Sequence, residues 1–355
     1  MIFFLVTNEN RQTMDWYLSS RGKKIITLIQ LLEYERIFKK DKFLPGVYIF
    51  SDLGLLSDDQ RKQAVQIWDE LKEQYPGQAV LLNHPAKAKR RYDLLKHLHA
   101  KEINRFNTYR LNENLSEIKF PVMFRYQADN SGNPATLLHN HDELNQAVAS
   151  VKETVGDISS WAVTEYCDTS DDHGIFRKYG AFMIGETVVP RHVLFSQNWF
   201  QKYDDIYNEQ CFKEELAYLQ ENPHAESIKR IFREANMDYG RIDYSCKDGV
   251  IQVWEINSNP NLFNLYKKYH PLRRPANDLF AQKIESAWRE LASAYKGPNV
   301  NYAGERTHML YNMINSRRGY KKLLSKVRKI KGGITKVCPQ SLTIYKKIKS
   351  ALRRS

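Results

Sequence analysis

Asp243, Glu255 and Asn257 put two carboxylates and one amide oxygen into a single short stretch of this chain. Magnesium is a hard cation that takes oxygen ligands, usually one or two protein carboxylates completed by substrate phosphates. The set suits a phosphate-bound Mg2+, with Mn2+ as the alternative metal. Arg241, two residues before Asp243, adds a guanidinium that can grip phosphoryl oxygens bidentately and never loses its charge.

The elements that must position these groups are two strands. Glu255 and Asn257 belong to an alternating, β-branched run starting at Val250, in which residues two apart face the same side. Arg241 and Asp243 share a face for the same reason. A turn signal, Asp248-Gly249, joins the two runs. A two-residue loop there would pair Asp243 with Trp254 and turn Glu255 to the opposite face. We therefore expect a three-residue loop, Lys247 to Gly249, with Gly249 in the left-handed bulge position that such hairpins favour. Arg241 then pairs with Glu255, Asp243 lies diagonal to it, and one metal reaches all three ligands. The alternative is an ordinary surface hairpin with solvated carboxylates.

Arg-x-Asp followed by Glu-x-Asn-x-x-Pro resembles the metal-binding end of the ATP-grasp superfamily, which includes D-Ala-D-Ala ligases and ribosomal-protein glutamate ligases. The resemblance covers residues 1 to about 295 and extends to three upstream segments in the right order. Trp161 to Asp168 is similar to the strand and hinge that clamp adenine. Phe176 to Pro190 is similar to the strand and hairpin that follow, and Phe120 to Arg125 to the strand bearing a phosphate-binding lysine. The resemblance implies nucleotide contacts from Glu165, Tyr166, Cys167 and Asp168, with Glu165 and Asp168 as adenine and ribose acceptors. It implies phosphate or ribose contacts from Arg91, Arg125 and Lys178, and it makes Arg241 the catalytic residue.

Three departures stand out. Arg125 and Arg91 occupy places where the superfamily has lysines, the loop Gln127 to Pro134 has one glycine, and Gly180 stands where relatives carry an arginine. The segments Ile49 to Leu53, Leu82 to Pro85, Val189 to His192 and Asn222 to His224 resemble a little-studied bacterial group of ATP-grasp proteins.

The implied fold class is α/β (α+β): an N-terminal α/β lobe over residues 1–105, a lid over 106–164 and a catalytic lobe over 165–295. Strand runs at Ile2 to Thr7, Val47 to Phe50 and Ala79 to Asn83 alternate with helical runs at Asp59 to Tyr75 and Arg90 to Ala100, a βαβ signature for a parallel sheet. The chain lacks a Gly-x-Gly-x-x-Gly turn, a Walker loop and a Gly-x-Ser-x-Gly elbow. Four cysteines show no paired spacing, and no stretch approaches the roughly 20 apolar residues of a membrane span. A cytoplasmic setting follows from these features. His192, Trp199 and Lys202 are acceptor-pocket candidates or core residues; His84, His97, His99 and His173 lack metal spacing.

Net charge is concentrated in one segment. Residues 301–355 hold 15 Lys or Arg and one acid, so the remainder carries 54 − 15 = 39 basic and 41 − 1 = 40 acidic residues. Apolar residues from Tyr320 to Ile330 recur at helical spacing with cations on the other face, which reads as a basic amphipathic tail. An anionic membrane surface is its first candidate partner through residues 319–355, placing the protein peripherally on the inner face of the membrane, ahead of nucleic acid. A solvated tail is the alternative.

Taken together these residues point to an ATP-dependent ligase joining a small-molecule or peptide carboxylate to an amine through an acyl phosphate. A kinase on the same fold is the nearest variant. The reading from another class is a non-catalytic nucleotide-binding or tethering protein.

Overall fold

The computed structural model of the protein describes residues 1–126, 136–200, 205–263 and 270–302. The loop Gln127 to Pro134, Lys202 and the tail beyond Tyr302 lie outside the described residues.

Among the described residues, three four-stranded sheets follow one another. The first is built from β1 (Ile2–Val6), α1 (Arg11–Ser19), β2 (Ile29–Glu33), α2 (Tyr34–Ile37), β3 (Val47–Phe50), α3 (Asp58–Gln74), β4 (Val80–Leu82) and α4 (Arg91–Ala100). Its order is β2-β1-β3-β4, all parallel. Parallel strands are covered on both faces and read as continuous apolar runs; all five residues of β1 are buried. The second sheet holds β5 (Thr108–Arg110), β6 (Val122–Tyr126), β7 (Leu137–Leu138), α5 (His141–Val155) and β8 (Trp161–Glu165), ordered β5-β8-β6-β7. The third comprises β9 (Phe176–Ile184), β10 (Thr187–Ser196), α6 (Glu209–Glu221), α7 (Ala225–Ala235), β11 (Tyr239–Lys247), β12 (Val250–Asn257) and α8 (Arg274–Ala294), ordered β10-β9-β11-β12 and antiparallel throughout.

Local chemistry sets the ends of these elements. Ser57 and Gln60 form a reciprocal capping box at α3, and Asn140 and Asn208 accept from backbone N–H groups at the starts of α5 and α6. Asn222 and Asn236 end α6 and α7 in the left-handed region, which Asn tolerates better than most residues. The sequence pattern does not announce α1 and β2. Arg11 and Asp15 are buried on α1 as an ion pair, and Gln30 and Glu33 are buried in β2, so polar side chains interrupt both apolar patterns.

The first and third sheets share their cores. Phe4 packs edge-on against Tyr239 at 5.3 Å and Trp288 at 6.3 Å, and both large clusters of buried residues draw from both sheets. The second sheet has its own small core around Ile118, Val122, Leu144 and Val163. Tyr302 belongs to the first lobe rather than to the tail. Its backbone exchanges two hydrogen bonds with the Gln30 amide, and its hydroxyl meets Tyr48 and the Leu44 N–H.

Two buried asparagines clasp segments that are distant in sequence. Asn104 accepts from Val253 N–H and donates to Val253 C=O, as a neighbouring strand would. Asn83 is fully buried; its amide accepts from the Asp238 and Tyr239 N–H groups and donates to the Phe50 and Tyr239 carbonyls. Asn83→Ala should lower unfolding free energy by about 3 kcal/mol or more, since four bonds to backbone are lost, three of them to buried Phe50 and Tyr239, and those partners are left unsatisfied. Asn83 sits at φ +63°, so Asn83→Gly relieves the backbone while still losing the bonds. Unfolding free energies from urea titration of both variants within about 0.5 kcal/mol of wild type would refute the clasp.

Candidate active site

The hairpin places the metal-ligand candidates by a different route from the expected one. The loop is the two-residue Asp248-Gly249, closed by the Lys247–Val250 pair, with φ of +53° and +74°. Both central residues are left-handed, as primed hairpin turns require and as Asp and Gly tolerate. Such a loop alone would misplace Glu255. A β-bulge corrects it: Tyr244 opposes Val253, the register then shifts, and Asp243 opposes Glu255, with Trp254 as the extra residue. Arg241 consequently opposes Asn257, not Glu255. Trp254 is itself anchored, its Nε1–H donating to Ser245 Oγ at 3.1 Å and its ring stacked on Phe106 at 5.2 Å.

Each carboxylate meets a guanidinium. Arg241 Nε and Nη2 donate to the two Asp243 oxygens at 2.6 and 3.1 Å, and Arg91, at the start of α4, pairs with Glu255. Burial pushes the Asp243 carboxyl up, but the charges of Arg241, Lys178 and Arg91 outweigh it and hold the group below its usual value. Asp243 is therefore ionised at neutral pH, as a metal ligand must be. Asn257 Oδ1 accepts from Asn259 N–H at 2.9 Å and keeps a second lone pair. Among the described residues no group of three His, Cys, Asp or Glu side chains is clustered for a metal. The donor set here, two facing carboxylates and an amide oxygen on the same side, fits a hard cation completed by phosphate or water.

These residues line a cleft of about 760 Å³ between the sheets. Arg91, Arg125, Lys178, Arg241, Tyr166 and Cys167 line it together with the three ligand candidates. Glu165 and Asp168 do not. Glu165 is buried, and its carboxylate accepts from the Asn107 and Lys119 N–H groups and the Tyr109 hydroxyl, tying three segments of the second sheet. Asp168 is exposed and accepts from the N–H and hydroxyl of Ser170 in a local turn. Both side chains are engaged by contacts within the fold, and neither lines the cleft.

Trp199 reaches the cleft and packs edge-on against Tyr166 at 5.8 Å. His192 lies on the metal face itself, in the cross-strand row His192, Gly180, Asp243, Glu255, whose directly paired residues share one side of the sheet. A Cβ at Gly180 would stand 2.7 Å from His192 Cε1 and Nε2, so the imidazole fills the volume that any side chain there would need. Burial and the charges of Arg191, Arg241, Arg273 and Lys178 hold His192 well below its usual value, and the ring is neutral at pH 7. The sequence reading missed Asp52, Arg110 and Asn259, all in the cleft wall. Asp52 had a usable signal, because it directly follows a parallel strand, and ligands of open α/β sheets bind beyond the carboxyl ends of strands.

No family model matches the chain, and no curated protein matches it. Solved structures match over most of the chain at low identity. A RimK domain ATP-grasp protein from Sphaerobacter thermophilus gives a TM-score of 0.49 at 11% identity, over 84% of this chain and 100% of that one. A D-alanine–D-alanine ligase from Bacillus anthracis, also solved with ATP, gives 0.44 at 14%, over 82% and 98%. The corresponding Helicobacter pylori ligase gives 0.42 at 13%, over 84% and 99%. None of these likenesses bears on which reaction the cleft performs.

The contact between Gly180 and His192 sets a measurable coupling. Gly180→Ala should cost about 1–3 kcal/mol by overpacking. In the double variant with His192→Ala, the loss should be about 1 kcal/mol or more smaller than the sum of the single losses, since the ring that the new methyl meets is gone. Additive losses in chemical denaturation would show that the two residues do not share that space.

Proposed function

We propose that the chain is an ATP-grasp enzyme, an ATP-dependent ligase that joins a carboxylate to an amine. The observation that carries this reading is Asp243 facing Glu255, with Asn257 beside them, in a cleft whose other walls bring Arg91, Arg125 and Lys178. Mg2+ or Mn2+ held by Asp243, Glu255 and Asn257 would supply charge neutralisation at the ATP phosphates. Arg125 and Lys178 would hold phosphate oxygens, and Tyr166 with Cys167 would meet the adenine edge.

In this scheme a substrate carboxylate oxygen attacks the γ-phosphorus, the bond to the β–γ bridging oxygen breaks, and ADP leaves. The amine nitrogen then attacks the acyl carbon of the acyl phosphate, inorganic phosphate leaves, and the nitrogen gives up a proton. Catalysis of phosphoryl transfer is mostly positioning and charge stabilisation. Arg241 is suited to the transferring oxygens, because a guanidinium has five donors and can keep its Asp243 contact while offering others.

Glu255→Gln and Asp243→Asn should leave the circular dichroism spectrum unchanged and lower Mg-ATP turnover about a hundredfold or more. Wild-type ADP release in either variant, assayed with pooled carboxylates and amines, would sink the assignment. A phosphorylated product in place of an amide would identify a kinase instead. Arg241→Lys should reduce turnover about tenfold more than it weakens ATP binding, since a point charge cannot reproduce a bidentate grip. If both fall together, Arg241 is a ground-state or structural contact.

The basic segment is proposed as a targeting element for an anionic membrane, carried by its 15 cations against one acid. Basic residues near an anionic leaflet contribute on the order of 1 kcal/mol each. Because Tyr302 is part of the folded body, the informative truncation removes residues 304–355. It should keep turnover and lose salt-sensitive flotation with phosphatidylserine vesicles. Unchanged flotation, or preferential capture by duplex DNA at matched salt, would refute the membrane assignment.

A further inference from the structure

The cleft has a corner that the reading above leaves without a role. Asp52 follows β3, is 4% exposed, and lines the cleft beside Asn10 and Asn259. Its carboxylate accepts from the Thr7 N–H at 2.9 Å, the Thr7 hydroxyl at 3.0 Å, Asn259 Nδ2 at 3.2 Å and Asn10 Nδ2 at 3.3 Å. None of these donors is charged. That sets Asp52 apart from the other carboxylates of the cleft wall, Asp243 and Glu255, each of which is paired with a guanidinium.

Asn259 adds a second observation. Its Nδ2 donates to Asn10 C=O and to Asp52, which fixes the orientation of the amide, because the reverse placement would set oxygen against oxygen. Its Oδ1 is then a buried acceptor with no hydrogen-bond partner among the described residues. Such a group is costly unless something donates to it. The backbone at Asp52 is also held at φ +54°, a conformation that L-residues adopt at an energetic cost and that clusters at ligand clamps.

A corner with one buried uncompensated anion and one unpartnered acceptor lacks a small cation with several donors. A primary ammonium carries one charge and three N–H donors. We propose that Asp52 and Asn259 form the subsite for the ammonium group of an amino-acid substrate. The inference deepens the ligase reading by naming a substrate class, and it rests on that reading only for what happens after binding. The raised affinity of the Asp52 carboxyl for a proton, caused by burial that its hydrogen bonds only partly offset, is what a site awaiting a cation would show.

The test is binding of individual standard amino acids to the full-length protein by calorimetry with Mg2+ and a non-hydrolysable ATP analogue, each compared with its N-acetyl derivative. At least one amino acid should bind about tenfold or more tighter than its N-acetyl form, the value of a hydrogen-bonded charge. Asp52→Asn should abolish that preference while leaving the dissociation constant of the nucleotide unchanged. No amino acid binding to wild type, equal binding of acetylated forms, or an undiminished preference in Asp52→Asn would each overturn the proposal. The wild-type comparison needs no variant, so it decides even where Asp52→Asn fails to fold. Amine-selective binding without ADP release would keep this inference and sink the ligase; ADP release supported equally by N-acetyl compounds would do the reverse.

Discussion

Two carboxylates directly opposite each other on neighbouring strands repel, and burial makes the repulsion worse. The body around the cleft is arranged to offset that one conflict. Asp243 and Glu255 face each other on β11 and β12, where side chains of directly opposed residues lie roughly 5 Å apart. Arg241 answers Asp243 from the same strand, Arg91 answers Glu255 from α4, and Lys178 contributes from β9. Because α4 belongs to the first lobe and β12 to the third, the ion pair that neutralises Glu255 also joins the lobes. Nearby, the Asn104 amide and the Arg105 N–H bond to β12, through Val253 and the Gln252 side chain. The electrostatic demand and the placement of the lobes are thus met by the same contacts.

The sequence carried the residue types of this arrangement and most of its elements. Alternation in Val250 to Ile256 gave the strand, and Asp248-Gly249 gave the turn. The register was not legible, because a hairpin loop fixes parity while a bulge changes it, and a bulge leaves no periodic mark. Trp254 had the role of supernumerary residue, yet in the sequence it is one more aromatic in a β-rich run. Glu165 shows the converse limit. Its type and its position at the end of a strand fit a ligand contact, but only the fold reveals that two N–H groups and a hydroxyl already occupy it. Long-range clasps such as Asn83 were equally hidden, since their partners lie more than a hundred residues away.

The cleft wall is electrostatically uneven. Asp243 and Glu255 are each paired with a guanidinium, whereas Asp52 is met by neutral donors only. A ligand that brings a cation would answer Asp52, whereas a purely anionic ligand would leave it buried and unanswered. Desolvated charges are worth several kcal/mol when unpaired, so such a mismatch is selective.

Stability and binding are therefore drawn from the same side chains in this protein, and the two demands differ in what they tolerate. The Arg241 guanidinium helps hold Asp243 ionised in the absence of ligand, so the site requires no proton release before a cation can bind there. A neutral amide at position 243 would satisfy packing and lose the anion, leaving Arg241 to face Lys178 and Arg91 without its counter-charge. Substitutions that preserve shape but alter charge should thus separate the two functions more cleanly than truncations, which create cavities and remove both at once. The same logic marks His192 as a structural element of the metal face. Neutral, and seated over Gly180, it fills space beside four cations without adding a fifth.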